Sequence, residues 1–269
     1  MSTEWFLLIP LLLACGAVAG VLAGLLGVGG GIVIVPMLYH VFTGVGIETA
    51  VAMPLSVGTS LSTIVFTSIV SARGHHRRGT VDWPLVKRWV PWILVGVVGG
   101  TALGGWVNGH LLKTLFGGLL VIVSVHMLIT SVRKPTLSDH LPGPAGQGVL
   151  ATVIGGLSAM LGIGGGTLTV PILNLFAYPM HRAVGTASVF GFVISVPATI
   201  GYVISGWGRA GLPMISTGYV NWVAFALLVP ATMLFAPVGV RLCHGLDVTR
   251  LKQVFAVFLG LVGLKMVLW

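Results

Sequence analysis

Two stretches of this sequence could bind an anion with main-chain atoms alone. Gly27-Val28-Gly29-Gly30-Gly31 and Gly162-Ile163-Gly164-Gly165-Gly166 each interrupt an apolar run, and each is followed by a Val-Pro pair, Val35-Pro36 and Val170-Pro171. Glycine costs about 1 kcal/mol against alanine in a helix interior, so three in succession predict a break. Non-helical backbone at membrane depth persists only against protein or a water-filled cavity. Segments restarting at Gly31 and Gly166 would present unpaired N–H groups and the positive end of a helix dipole, an anion site that needs no basic side chain. The hydroxyls of Thr59, Ser60, Thr186 and Ser188 fall at predicted segment starts and can donate to an oxyanion, with helix capping as the competing role of the two threonines. Asn174 follows the second break, where it could donate to the same ligand or bond a neighbouring helix. The candidate ligand-binding residues are therefore Gly29, Gly30, Gly31, Thr59, Ser60, Gly164, Gly165, Gly166, Asn174, Thr186 and Ser188.

Other chemistries find less support. All five acidic residues, Glu4, Glu48, Asp82, Asp139 and Asp247, lie in predicted loops or at segment ends. No carboxylate is thereby offered for holding Na⁺ or relaying protons inside the bilayer. Cys15 and Cys243 make neither a disulfide framework nor a CxxC pair, and no metal or cofactor site is expected. A hydrolytic pair can be drawn from Ser158 and His126, but neither has an identifiable orienting acid, and no catalytic residue is assigned. The cluster His75-His76-Arg77-Arg78 reads as a topological anchor, with an anion-gathering vestibule as the competing role. Asp82 and Asn221, each just before a tryptophan, read as helix N-caps beside interfacial anchors. His126 and Lys265 sit at matched places near segment ends, where such side chains reach the interface. His40 and His181 stand singly near loops, and Met37 reads as packing.

The elements that must position these residues follow from composition. Of 269 residues, 56% are hydrophobic and 7% charged, against about 25% charged in soluble domains. With a mean hydropathy of +1.05 and 40 glycines, the expectation is an all-α integral membrane protein of closely packed helices. Barrel strands would alternate apolar and polar residues. The net charge of +9 sits mostly between apolar runs, where it orients a protein in the bilayer and does not suggest nucleic acid. Segments are predicted near Trp5 to Leu26, Gly31 to Phe42, Pro54 to Ala72, Trp89 to Val107 and Leu115 to Val132. A second set runs near Gly148 to Leu161, Gly166 to Ala177, Gly185 to Ser205, Trp222 to Val240 and Val254 to Trp269. The first lacks a basic leader region and reads as a retained segment.

The chain also repeats itself. Gly162 lies 135 residues beyond Gly27, Val184-Gly185-Thr186 lies 127 beyond Val57-Gly58-Thr59, and Gly218-Tyr219-Val220-Asn221-Trp222 lies 139 beyond Gly79-Thr80-Val81-Asp82-Trp83. Three blocks in one order predict a duplication, with a membrane repeat at 1–132, a linker at 133–146 and a second repeat at 147–269. Each repeat holds a glycine-broken helical pair and three further transmembrane helices. If the repeats are inverted, one side of the membrane receives Arg73, Arg77, Arg78, Lys87, Arg88, Arg133, Lys134, Arg182, Arg241, Arg250 and Lys252. The other receives Lys113, Arg209 and Lys265. That division is steeper than parallel repeats would give, and it predicts inverted topology with both termini outside and the linker in the cytoplasm.

The two Gly-x-Gly-Gly-Gly stretches with their Val-Pro pairs, the paired Val-Gly-Thr blocks and His75-His76-Arg77-Arg78-Gly79-Thr80-Val81-Asp82-Trp83 together resemble the sulfite exporter TauE/SafE family of membrane permeases. The likeness covers nearly the whole chain. It implies a multi-pass protein of the bacterial inner membrane that moves sulfite, an organosulfonate or a related sulfur compound, by export in the case of sulfite. The residues themselves indicate only a transporter of a small anion, with the lipid bilayer as its surroundings. An anion channel of the same architecture, an organosulfonate or thiosulfate uptake permease, and a homodimeric state remain open. The repeats differ where Pro54 faces His181 and Ser60 faces Ala187, so the two half-sites are chemically unequal.

Overall fold

The computed structural model describes residues 3–27, 29–132, 137–243 and 248–268, without the side chains of 3–8, 131–132, 248, 250–252 and 254–255. Val28, Arg133, Lys134 and Asp247, and the side chains of Glu4, Arg250 and Lys252, therefore lie outside the described residues. The first half forms α1 (Thr3–Leu26), α2 (Gly31–Gly44), α3 (Thr49–His76), α4 (Trp83–Trp106) and α5 (Gly109–Val132). The second forms α6 (Pro144–Leu161), α7 (Gly166–Leu175), α8 (Met180–Ser205), α9 (Trp222–Leu242) and α10 (Val248–Leu268). Ahead of α9 a small hairpin pairs β1 (Ser216–Thr217) with β2 (Val220–Asn221). Among the described residues seven helices are long and apolar enough to cross a bilayer, and the shorter apolar helices are α2, α7 and the Ala256–Leu268 part of α10. The protein is an all-α integral membrane protein, with bulky apolar side chains such as Trp92, Val98 and Leu234 turned outward.

Glycine sets how closely the helices approach. Along α1, Gly16, Gly20 and Gly24 meet in turn Ala231, Thr232 and Ala236 of α9, and a Cβ on Gly24 would stand 2.1 Å from the Ala236 carbonyl oxygen. Along α4, Gly96 and Gly100 meet Thr152 and Gly156 of α6, with the same Cβ distance of 2.0 Å to each carbonyl oxygen. Lipid tails are as apolar as leucine, so contacts of this kind are what hold helices together in a membrane. Both pairs run parallel. The helices that correspond in the sequence repeat do the opposite. Gly58 of α3 faces Tyr202 of α8 while Ser68 faces Gly191. Gly117 of α5 faces Gly263 and Met266 of α10, and the Ser124 hydroxyl donates to the Ala256 carbonyl at 2.6 Å. In each case one residue number climbs as the other falls, so α3 and α8 are antiparallel, as are α5 and α10.

Thr59, Ser60, Thr186 and Ser188 do not begin segments. Helix α3 starts at Thr49 and α8 at Met180, and all four hydroxyls lie inside them. Helix α8 begins with a turn containing His181 and Arg182 that an apolar run does not register, and α3 begins five residues ahead of Pro54 and carries it in its second turn without stopping.

Candidate functional site

Each glycine break is built from conformations that side chains rarely adopt. Gly29 and Gly30 have φ of 73° and 83°, and Gly162 and Gly164 have 70° and 67°. The left-handed region is sterically open to glycine and costly for other residues. The chain turns back at each break and restarts as α2 or α7, with Gly30 and Gly165 as N-caps. Neither cap supplies a side-chain acceptor, so side-chain capping leaves the first-turn N–H groups of both helices unserved.

The two breaks meet. A Cβ on Gly31 would stand 2.2 Å from the Gly162 carbonyl oxygen, and one on Gly29 would lie 3.8 Å from Gly164 Cα. Each also seats against the opposite half's Val-Gly-Thr block. Gly27 approaches Val184, where the corresponding distance to the carbonyl oxygen is 2.5 Å, and Gly162 approaches Val57 at 3.1 Å. The structure thus brings Gly29 and Gly31 of the first break against Gly162, Ile163 and Gly164 of the second, while Gly30 packs on Ala19 and Gly165 on Phe190 and Gly191. A cavity of about 30 Å³ beside it touches Leu26 before the first break, and Gly166, Thr167 and Asn174 after the second.

Thr59 and Thr186 have a different placement. The Asn221 N–H donates to Thr59 Oγ1 at 3.0 Å, and the Asp82 N–H donates to Thr186 Oγ1 at 3.0 Å. Asn221 and Asp82 are the N-caps of α9 and α4, their side chains accepting from the Ala224 and Leu85 N–H groups at 2.9 and 3.1 Å. The glycine before each threonine makes room for this contact. A Cβ on Gly58 would stand 2.1 Å from the Tyr219 carbonyl oxygen, and one on Gly185 would stand 2.7 Å from that of Thr80. The Val-Gly-Thr blocks and the blocks ending Asp82-Trp83 and Asn221-Trp222 are therefore two sides of one clasp, made twice, each time between halves. The clasps are not equivalent. Asp82 also accepts from Tyr178, and from Arg182 at 3.0 Å, while Asn221 instead donates to Ser216 at 3.1 Å. Burial and the Asp82 contact push the Tyr178 hydroxyl above its ordinary value, which keeps it a donor.

The remaining predicted hydroxyls are also engaged. Ser60 donates across the halves to the Gly162 carbonyl at 2.9 Å, a tie that Ala187 cannot reproduce at the first break. Ser188 donates to its own helix at Gly185. The Asn174 amide lies 3.3 Å from the Met180 sulfur.

Three residues near the second break, Ser158 and Thr169 in its flanking helices and Ser68 in α3, were not picked out by the sequence as ligand donors. The hydroxyls of Ser68, Ser158 and Thr169 are buried and have no hydrogen-bond partner in the protein. Ser158 lies four residues before Gly162, and Thr169 three after Gly166. Ser68 Oγ lies 2.6 Å from the place of a Cβ on Gly191, whose own N–H packs against Gly165. Leaving such a group without a partner costs about 1 to 3 kcal/mol. The first break lacks this set: Ala23 and Ile34 stand where the repeat register has Ser158 and Thr169. Ser and Thr on apolar helices are usually spent on the carbonyl four residues back, as Thr63 and Thr67 are, so their exceptional state is visible only in the fold. Among the described residues no cluster of His, Cys, Asp and Glu could hold a metal ion.

A bundle of helices long and apolar enough to cross a bilayer, folded around two glycine breaks whose following helices start without side-chain caps, defines a polytopic membrane protein. Comparison with known proteins specifies it. A sequence model of the family described as "Sulfite exporter TauE/SafE" matches residues 12–266, and the chain belongs to that family. A "Probable membrane transporter protein" of Haemophilus influenzae is 33% identical over 263 residues, covering 98% of this chain and 99% of its own. The probable membrane transporter YunE of Bacillus subtilis is 27% identical over 96% of both chains. One from Methanocaldococcus jannaschii is 28% identical over 100% of this chain and 98% of its own. No solved structure matches.

Proposed function

We infer that the chain is a secondary transporter of a small sulfur-containing oxyanion, exporting sulfite across a bacterial inner membrane by alternating access. The observation that carries this reading is the set of partnerless hydroxyls of Ser68, Ser158 and Thr169 around a break whose following helix starts uncapped. An oxyanion bound there would accept from the first-turn N–H groups of α7 and from these hydroxyls, and it would gain the favourable end of the helix dipole. The uncapped N–H groups can only donate and the hydroxyls can turn to donate as well, so such a site favours an anion over Na⁺. The first break faces it across the junction with the same uncapped start and fewer hydroxyls, so the substrate sits closer to α7 than to α2. Gly29, Gly30, Gly31, Gly164, Gly165 and Gly166 supply backbone, and Asn174 borders the path. Thr59, Thr186 and Ser60 hold the frame, and Ser188 braces α8.

The antiparallel meeting of α3 with α8 and of α5 with α10 supports inverted repeats, because an axis along the membrane normal would leave corresponding helices parallel. In that arrangement Arg78, Arg182 and Arg241 share the cytoplasmic end with the linker, and Arg209 and both termini are outside. The sulfur chemistry of the substrate rests on family membership, since the site itself selects only charge and size. Purified protein in liposomes loaded with sulfite tests the proposal. Saturable efflux, accelerated by sulfite on the opposite side, is expected. Flux that never saturates would replace the carrier with a channel, and sulfite-independent exchange of an organosulfonate would move the substrate class.

A further inference from the structure

We propose that the cleft between α1, α2 and α10 binds an anionic phospholipid, with an acyl chain along its apolar wall and the phosphate at Lys265. The cleft has a volume of about 770 Å³. Its wall is almost wholly apolar, from Val18 and Val33 at one end past Met37 and Phe258 to Leu11. Val18 and Phe258 are 52% and 44% exposed and turned outward, where a membrane protein meets lipid tails. The polar lining is confined to one end, where His40 of α2 and Lys265 in the last turn of α10 stand together. Helices α2 and α10 both run toward that end, since Val33 and Phe258 precede His40 and Lys265 in sequence.

The arrangement has the shape of an amphiphile: a greasy slot along roughly two turns of each helix, finished by a cation at the membrane boundary. Among the described residues no carboxylate lines the slot. Lys113, also near this end, lies over the Tyr39 ring at 5.8 Å. The repeat supplies an internal comparison. Pro171, Val123 and His126 occupy the places of Pro36, Val262 and Lys265 around the second cavity, which is only about 30 Å³. There the linker crosses the end of α7, with the Leu137 N–H donating to the Leu175 carbonyl at 2.7 Å. An open slot is therefore peculiar to the first repeat and is not a by-product of the repeat's packing.

Full-length protein in detergent, titrated with phosphatidylglycerol or phosphatidylcholine and read by native mass spectrometry, tests this. Wild type should retain phosphatidylglycerol in preference, and Lys265→Gln should lower that retention about fivefold, the effect of one lysine near an anionic surface. Lys265→Arg should restore it. Met37→Trp, which fills the slot, should lower retention of both lipids. Equal retention of the two lipids by wild type, or an unchanged Lys265→Gln, would overturn the proposal. Displacement of the lipid by a long-chain alkyl sulfonate that is then transported would also overturn it and make the slot a substrate vestibule.

Discussion

Thr169→Val separates a binding hydroxyl from a structural one. The substitution replaces one hydroxyl by a methyl of similar size, in the first turns of α7 and at a fully buried position. Because Thr169 Oγ1 has no partner in the protein, the fold loses no hydrogen bond and sheds an unmet desolvation cost of about 1 to 3 kcal/mol. The variant should melt at the same temperature as wild type or a few degrees higher. Substrate binding should move the other way. A hydrogen bond to a charged group is worth about 1.5 to 3 kcal/mol, so the half-saturating sulfite concentration in a counterflow assay should rise by about tenfold or more. Ser62→Ala is the control, because Ser62 donates to Thr59 within its own helix at 2.7 Å and should leave half-saturation unchanged. A Thr169→Val protein that melts lower and transports with wild-type half-saturation would refute the reasoning, since the hydroxyl would then serve the fold. Leucine at Gly30 is a poorer probe. Its left-handed backbone, and a Cβ 2.9 Å from the Ala19 carbonyl oxygen, would mix packing with binding.

Thr59→Val should destabilise the protein by about 1 to 3 kcal/mol by stranding the Asn221 N–H, and Thr186→Val should cost less because its clasp is only partly buried; detergent melts of the two variants give the order. Gly58→Ala should prevent stable folding or lower the melting temperature sharply, whereas Gly118→Ala, with open space around it, should be neutral or stabilising by about 1 kcal/mol. Single cysteines at Ser138 and Arg209 should react with an impermeant thiol reagent from opposite faces of intact cells, and labelling from one face would remove the inverted topology. Raising the pH above about 10 should weaken wild type more than Tyr178→Phe. The raised Tyr178 pKa favours the protonated fold, and that stability is present below the unfolded value and lost as pH climbs toward the folded one.

Much of the architecture was legible because membrane helices announce themselves by apolar length and breaks by glycine. The restarts at Gly31 and Gly166 are where the glycine runs place them, and Asp82 and Asn221 cap the helices they precede. The start of α3 was not legible, since proline favours the first position of a helix and Pro54 reads as a segment start, whereas the helix begins at Thr49 and runs through it. The roles of the hydroxyls were legible least. Thr59, Ser60 and Ser68 lie within ten residues on one helix, yet one accepts from Asn221, one donates to Gly162 and one has no partner. Each outcome depends on what the other half brings near, which no local spacing encodes.

The pair of reciprocal clasps has a consequence for how the molecule could move. Asn221 belongs to the connection after α8 and Asp82 to the one after α3, and because those helices run in opposite directions the two fastenings sit at opposite ends of the molecule. A tilt that loosened one latch could leave the other shut, so a doorway facing either compartment would open about a hinge at the far end. Two half-length chains made separately would lack both latches until they associated, and neither should survive alone.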